Sequence, residues 1–115
     1  MRTLDLIFAW LLFCLGAVHS FFTFRSFSMV MMTGVWFFGG GVAMMLAGLL
    51  NALRAQERRA TGLLRFASIF ANSCMVIMAL AITSLVVHHL SASPQVPLFL
   101  VLSGLELVFS IRGGN

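Results

Sequence analysis

Four long apolar segments alternate with short polar or charged stretches along the chain. They cover residues 4–24, 29–50, 63–87 and 96–111, and each is bounded by charge, proline or a polar cluster. An α-helix of about 20 apolar residues crosses the hydrocarbon core of a bilayer. A lipid-exposed strand would leave backbone groups unpaired, and a barrel would need an alternation that these segments lack. The pattern predicts an all-α integral membrane four-helix bundle with short loops, in a single domain.

The composition supports this interpretation. Of the 115 residues, 61% are hydrophobic and 9% are charged, and the mean hydropathy is +1.07. Soluble domains are about 45–50% apolar and about 25% charged. We therefore expect the lipid bilayer to surround most of the chain.

The arginines are distributed unequally between the two sides that four crossings define. The side with both termini and the middle loop holds six, and the other side holds Arg25. The six are Arg2, Arg54, Arg58, Arg59, Arg65 and Arg112. Positive residues favour the cytoplasmic side, which predicts a bacterial inner-membrane protein with cytoplasmic N- and C-termini. Any homo-oligomer should be parallel, and the placement of the arginines at helix ends disfavours nucleic acid as a partner.

The middle loop carries a local concentration of positive charge. Its arginines, Arg54, Arg58, Arg59 and Arg65, are expected to anchor the protein to anionic lipid headgroups, with an acidic cytoplasmic partner as the alternative. The second helix is expected to continue into residues 52–60, and Thr61 is expected to cap the third helix.

Small and polar residues share one face of each predicted helix when successive residues turn by about 100°. Such faces meet inside membrane bundles, whereas aliphatic and aromatic side chains face lipid. The residues concerned are Asp5 and Gly16 in the first helix, Gly34, Gly41 and Gly48 in the second, Ser68 and Asn72 in the third, and Ser103 and Glu106 in the fourth. The glycine repeat favours close packing inside the bundle, with self-association as the alternative.

Glu106 is the strongest candidate for chemistry because a carboxyl group inside a spanning helix is costly. It lies about 9 Å along its helix from Arg112, and Asn72 lies about 10 Å from Arg65. We therefore hypothesise a contact between Glu106 and Asn72, with Ser103 and Ser68 as further partners. Two roles remain open: a neutral hydrogen-bonding residue, or a residue that handles protons or cations.

The histidines raise the alternative of a redox site. His19 and His88 both fall toward the side opposite to the arginines, where paired histidines bind haem or a metal ion in other proteins. Their depths differ by about two turns, however, at about 25 Å and about 35 Å along their helices. No cofactor is expected, and haem or a metal on these two histidines is the alternative.

No catalytic motif is present in the sequence, so an enzyme is not expected. The sequence favours a binding, scaffold or accessory subunit that acts through helix–helix association, either as a parallel homo-oligomer or in a larger membrane complex. One alternative is a small proton- or cation-handling transporter or channel that uses Glu106. Another is a redox subunit that uses His19 and His88.

Overall fold

The structure is a computed structural model that describes residues 2–26, 31–57, 59–88 and 93–112. Within these ranges it has four helices: α1 (Arg2–Ser26), α2 (Met32–Gln56), α3 (Gly62–Val86) and α4 (Gln95–Arg112). Each is long and apolar enough to cross a membrane, which confirms the predicted all-α membrane bundle. Residues 29 and 30, with which the second segment was predicted to begin, lie outside the described ranges.

The end of α2 and the start of α3 follow the local sequence signals. α2 continues six residues beyond the apolar segment and ends at Gln56, four residues short of the predicted limit of this extension. The hydroxyl of Thr61 accepts a hydrogen bond from the backbone nitrogen of Leu64 at 3.3 Å, which confirms the predicted cap. This capping bond satisfies one of the free amides at the start of α3.

Consecutive helices are antiparallel neighbours. The most extensive contact is between α1 and α2, the next is between α3 and α4, and the contacts between these two hairpins are smaller. The Nε of Arg2 donates to the carbonyl oxygen of Ala55 at 2.7 Å, and the Nη2 of Arg65 donates to that of Ile111 at 2.7 Å. The starts of α1 and α3 therefore lie beside the ends of α2 and α4, and we call this end of the bundle the arginine end.

The backbones of α1 and α2 touch at glycines. A methyl group added to Gly16 would lie 2.6 Å from the carbonyl oxygen of Gly41, and one added to Gly48 would lie 2.7 Å from that of Ala9. Gly34 is also buried. Small residues allow this close approach, which lets dispersion contacts hold helices together in lipid. Since α1 covers Gly41 and Gly48, these glycines do not form an exposed face for a second copy.

An apolar core lies at mid-height in the bundle. It comprises Leu12, Met44, Ala47, Met75, Ala79, Phe99 and Leu102. Most of the buried polar side chains lie between this core and the arginine end, whereas the opposite half of the bundle contains a cavity together with the buried hydroxyl side chains of Ser20 and Thr23. The core thus separates two regions of different chemistry.

Candidate functional site

Arg54 lies between two buried carboxylates near the arginine end. Its Nη2 and Nη1 contact the carboxylate oxygens of Asp5 at 2.6 Å and 2.9 Å, and the same Nη2 lies 3.5 Å from Oε2 of Glu106. The exposed fractions are 5% for Arg54, 6% for Asp5 and 0% for Glu106. We call these three residues the charge cluster. Its geometry is asymmetric, because Asp5 alone receives the paired, fork-like contact that makes arginine–carboxylate bonds strong.

The antiparallel packing explains how three distant residues meet. Asp5 is in the first turn of α1 and Arg54 is in the last turn of α2, so both lie near the arginine end. Glu106 precedes the end of α4 by about 9 Å at 1.5 Å per residue. The Nη1 of Arg54 also donates to the carbonyl oxygen of Phe109 at 3.2 Å, which ties α2 to α4 one turn closer to that end.

The prediction that Arg54 anchors the protein to lipid headgroups is wrong. Because α2 continues past the apolar segment, Arg54 stays inside the bundle, where Asp5 and Glu106 neutralise its charge better than distant headgroups would. The signal in the sequence that could have indicated this contact is that Arg54 lies at about the same depth in the bundle as Asp5 and Glu106. Arg59 is exposed, and Arg65 is partly buried. Their headgroup role remains a prediction, and Arg58 lies outside the described ranges.

A second polar group adjoins the charge cluster. The amides of Asn51 and Asn72 are joined by two reciprocal hydrogen bonds of 2.8 Å. The Nδ2 of Asn72 also lies 2.8 Å from the hydroxyl oxygen of Ser110 and 3.4 Å from the carbonyl oxygen of Glu106. These bonds link α2, α3 and α4, and we call Asn51, Asn72 and Ser110 the amide cluster.

Glu106 and Asn72 lie close together, but their contact does not join the two side chains. Asn72 reaches the backbone of Glu106, whereas the carboxylate of Glu106 is directed to Arg54. Asn51 was not singled out from the sequence, although it follows Gly48 by three residues and so shares its face of α2. An amide side chain on the glycine-rich face of a helix is the sequence signal that could have identified Asn51.

Ser68 and Ser103 are fully buried, but within the described ranges neither forms a hydrogen bond with the carboxylate of Glu106. The hydroxyl of Ser103 donates to the carbonyl oxygen of Phe99 at 2.8 Å within α4. The hydroxyl of Ser68 has no partner among the described residues, and the same holds for Oε1 of Glu106 and Nε of Arg54. The charge cluster therefore retains unsatisfied polar atoms in a buried position.

A cavity of about 590 Å³ lies toward the other side of the apolar core, between the two hairpins, and it is open on one side, where Trp36 and Leu85 of its wall are 75% and 83% exposed. Its wall is mainly aliphatic, aromatic and methionine side chains, and the polar residues that line it are His19, Thr33 and Gln95. A smaller cavity of about 330 Å³ adjoins it and shares His19 and Gln95. Ligand pockets in proteins have volumes of about 300–1,000 Å³ and are largely apolar with a few polar groups.

The two candidate redox histidines have different surroundings. The ring of His19 is partly buried in the cavity wall and stacks on Phe37, with ring centroids 3.8 Å apart. His88 is exposed just beyond the end of α3 and does not line either cavity described above. Within the described ranges, no group of three or more His, Cys, Asp or Glu side chains is arranged to hold a metal ion.

Comparisons with known proteins add no functional assignment to this geometry. No protein-family model, no curated protein and no solved structure matches the chain.

Proposed function

We propose that the chain is a small binding protein of the bacterial inner membrane, with cytoplasmic termini, that holds an elongated apolar molecule drawn from the bilayer. The observation that carries this proposal is the 590 Å³ cavity between the hairpins. The proposal is for a binding protein rather than an enzyme and requires no cofactor.

The chemistry of the cavity wall supports an apolar ligand with a small polar group. Met44, Met75 and Met78 line it, and methionine side chains adapt to ligands of irregular shape. His19 and Gln95 offer hydrogen bonds at the polar part of the wall. A fatty-acyl chain with a hydrogen-bonding end group has this combination of properties.

The packing of the bundle supports reversible access to the cavity. α1 and α2 have the most extensive contact, and no pair of helices from different hairpins contacts as extensively as α3 and α4 do. Near the arginine end, the charge cluster and the amide cluster join the hairpins by hydrogen bonds. In this proposal the ligand enters from the bilayer through the open side of the cavity while the arginine end stays closed.

Adjacent glycines on α2 provide a matched test. Gly40 lines the cavity, and a methyl group added there would lie 3.9 Å from its nearest neighbour, Nε2 of His19. Gly39 is exposed, and a methyl group added there would meet nothing within 4 Å. The substitution Gly40→Leu should therefore obstruct the cavity beside His19, whereas Gly39→Leu adds the same side chain on the lipid-facing surface.

A photoactivatable fatty acid with a diazirine in its acyl chain is the probe. Met44 and Met75 are 6% and 8% exposed, so their labelling requires a probe inside the cavity, whereas Leu46 is 62% exposed and reports contact with bulk lipid. We expect the wild type and Gly39→Leu to be labelled at both methionines, and Gly40→Leu to lose most of that labelling while Leu46 stays labelled. Unlabelled methionines in the wild type, or equal labelling in both variants, would refute the proposal.

Association with a second, parallel copy of the chain is the second candidate function. α3 has the smallest buried share of the four helices, and Leu63, Phe66, Phe70 and Ile77 on it are 62–78% exposed. The substitution Phe70→Ala should lower the fraction of dimer seen by native mass spectrometry, whereas Phe21→Ala on α1, also 62% exposed, should not. A wild-type monomer that co-purifies with nothing would exclude both a homodimer and a stable larger complex.

A further inference from the structure

The charge cluster contains one cation and two carboxyl groups in a buried position. With all three residues ionised, its net charge would be −1, because Arg54 contributes +1 and Asp5 and Glu106 each contribute −1. A buried charge without a partner is strongly disfavoured in protein or lipid surroundings. We propose that Glu106 binds one exchangeable proton at neutral pH, so that the charge cluster is a proton-binding site within the membrane.

The contact distances assign the proton to Glu106 rather than to Asp5. Asp5 contacts both terminal nitrogens of Arg54 at 2.6 Å and 2.9 Å, which are as short as or slightly shorter than the distances of about 2.7–2.9 Å that are typical of charged pairs. Glu106 lies 3.5 Å from one of these nitrogens. Asp5 is therefore the carboxylate that neutralises Arg54, and Glu106 is the carboxyl group whose negative charge would have no positive charge to balance it.

Among the described residues, Arg54 is the one positively charged group in contact with the carboxyl of Glu106. The described hydrogen bonds and ion pairs place Asp5 of α1 and Arg54 of α2 beside it, and from α3 the neutral amide of Asn72 contacts its backbone oxygen. Arg2 and Arg65 are bound to backbone carbonyl groups near the arginine end. The carboxyl oxygen Oε1 of Glu106 is buried without a partner in the described part of the chain.

A proton fits this position better than a metal ion. Calcium and magnesium require about six or more oxygen ligands. The described residues provide no group of three or more metal-ligating side chains here. A single proton removes the excess charge without a shell of coordinating ligands.

Infrared spectroscopy of the full chain in liposomes tests the assignment, because a protonated carboxyl group has its own carbonyl-stretch band. The chain contains three acidic residues, Asp5, Glu57 and Glu106, and Glu57 is exposed beyond α2. Labelling all glutamates with carbon-13 in the side-chain carboxyl therefore distinguishes Glu106 from Asp5. The substitution Glu57→Gln is the matched control, and Glu106→Gln removes the site while keeping the side chain's shape.

At neutral pH we expect a carbonyl band of about one group per chain that shifts on glutamate labelling, persists in Glu57→Gln and disappears in Glu106→Gln. Raising the pH should remove the wild-type band before the helices unfold. The proposal would be overturned by absence of the band, by a band that does not shift on glutamate labelling, or by a band that persists at high pH until the helices unfold. If Glu106→Gln fails to fold, the labelled wild type alone gives the answer. The result is independent of the cavity, which lies beyond the apolar core.

Discussion

Replacing Asp5 by Asn tests whether the ion pair with Arg54 stabilises the bundle. The change keeps the shape of the side chain but removes the charge that binds two terminal nitrogens of a guanidinium that is 5% exposed. Hydrogen bonds to charged groups contribute about 1.5–3 kcal/mol each, and breaking a buried pair costs about 3–5 kcal/mol. Because Asn retains one acceptor oxygen, and because Glu106 can release its proton and neutralise Arg54, we expect the free energy of unfolding to fall by about 2 kcal/mol.

The assay is reversible unfolding in mixed micelles with increasing sodium dodecyl sulfate, followed by circular dichroism. Glu57→Gln removes an exposed carboxylate and should leave the midpoint unchanged, since exposed pairs contribute at most about 1 kcal/mol. The double variant Asp5→Asn/Arg54→Gln replaces the ion pair by two neutral amides. It should be more stable than Asp5→Asn, with a coupling energy of about 2 kcal/mol. The ion pair would be refuted as a stabilising contact if the effects of Asp5→Asn and Arg54→Gln on the free energy of unfolding simply added in the double variant. It would also be refuted if Asp5→Asn left that free energy unchanged.

Three further predictions concern the glycine contact, the amide cluster and the orientation of the chain. Gly48→Ala should lower the thermal midpoint markedly because its methyl group would lie 2.7 Å from α1 backbone atoms. Gly104→Ala should be neutral or slightly stabilising, since nothing lies within 4 Å of that position and Ala favours helix by about 1 kcal/mol. Equal changes of the thermal midpoint in Gly48→Ala and Gly104→Ala would contradict the close contact at Gly48. Asn72→Ala should cost about 2 kcal/mol in the same unfolding assay, because it leaves the buried amide of Asn51 without its partner, and Asn51→Ala/Asn72→Ala should cost less than the sum of the two single variants. A fluorescent protein fused after Asn115 should fluoresce and alkaline phosphatase fused there should be inactive; the opposite pattern would refute cytoplasmic termini.

The four helices were predictable because hydropathy is a local property. Each apolar segment is about as long as the hydrocarbon core is thick, so its presence reveals a spanning helix without knowledge of its neighbours. The cap by Thr61 was predictable for the same reason, since its hydroxyl contacts an amide only three residues away. The glycine face of α2 was predictable as a packing face because residues seven apart lie on one side of a helix, but spacing left open whether it packs inside the bundle or against a second copy.

The partners of the polar residues were less predictable. Asn72 was expected to meet the side chain of Glu106, but its amide binds Asn51, and Glu106 is directed to Arg54. The distance between Asn51 and Asn72 in the chain carries no information about their contact, which depends on how α2 and α3 are rotated and shifted. Arg54 was misassigned because a helix-end arginine has the same sequence context whether it reaches toward lipid or toward buried acids.

The sequence by itself determined that the chain spans a membrane four times and that small and polar residues share a face of each helix. Only the tertiary structure decided that Asp5 contacts both terminal nitrogens of Arg54, that the charge cluster and the amide cluster lie on one side of an apolar core, and that a cavity lies on the other. Hydropathy and helical periodicity act within one segment, whereas these features depend on the register and separation of helices that are distant in the chain. The functional proposals for this protein rest on those interhelical distances.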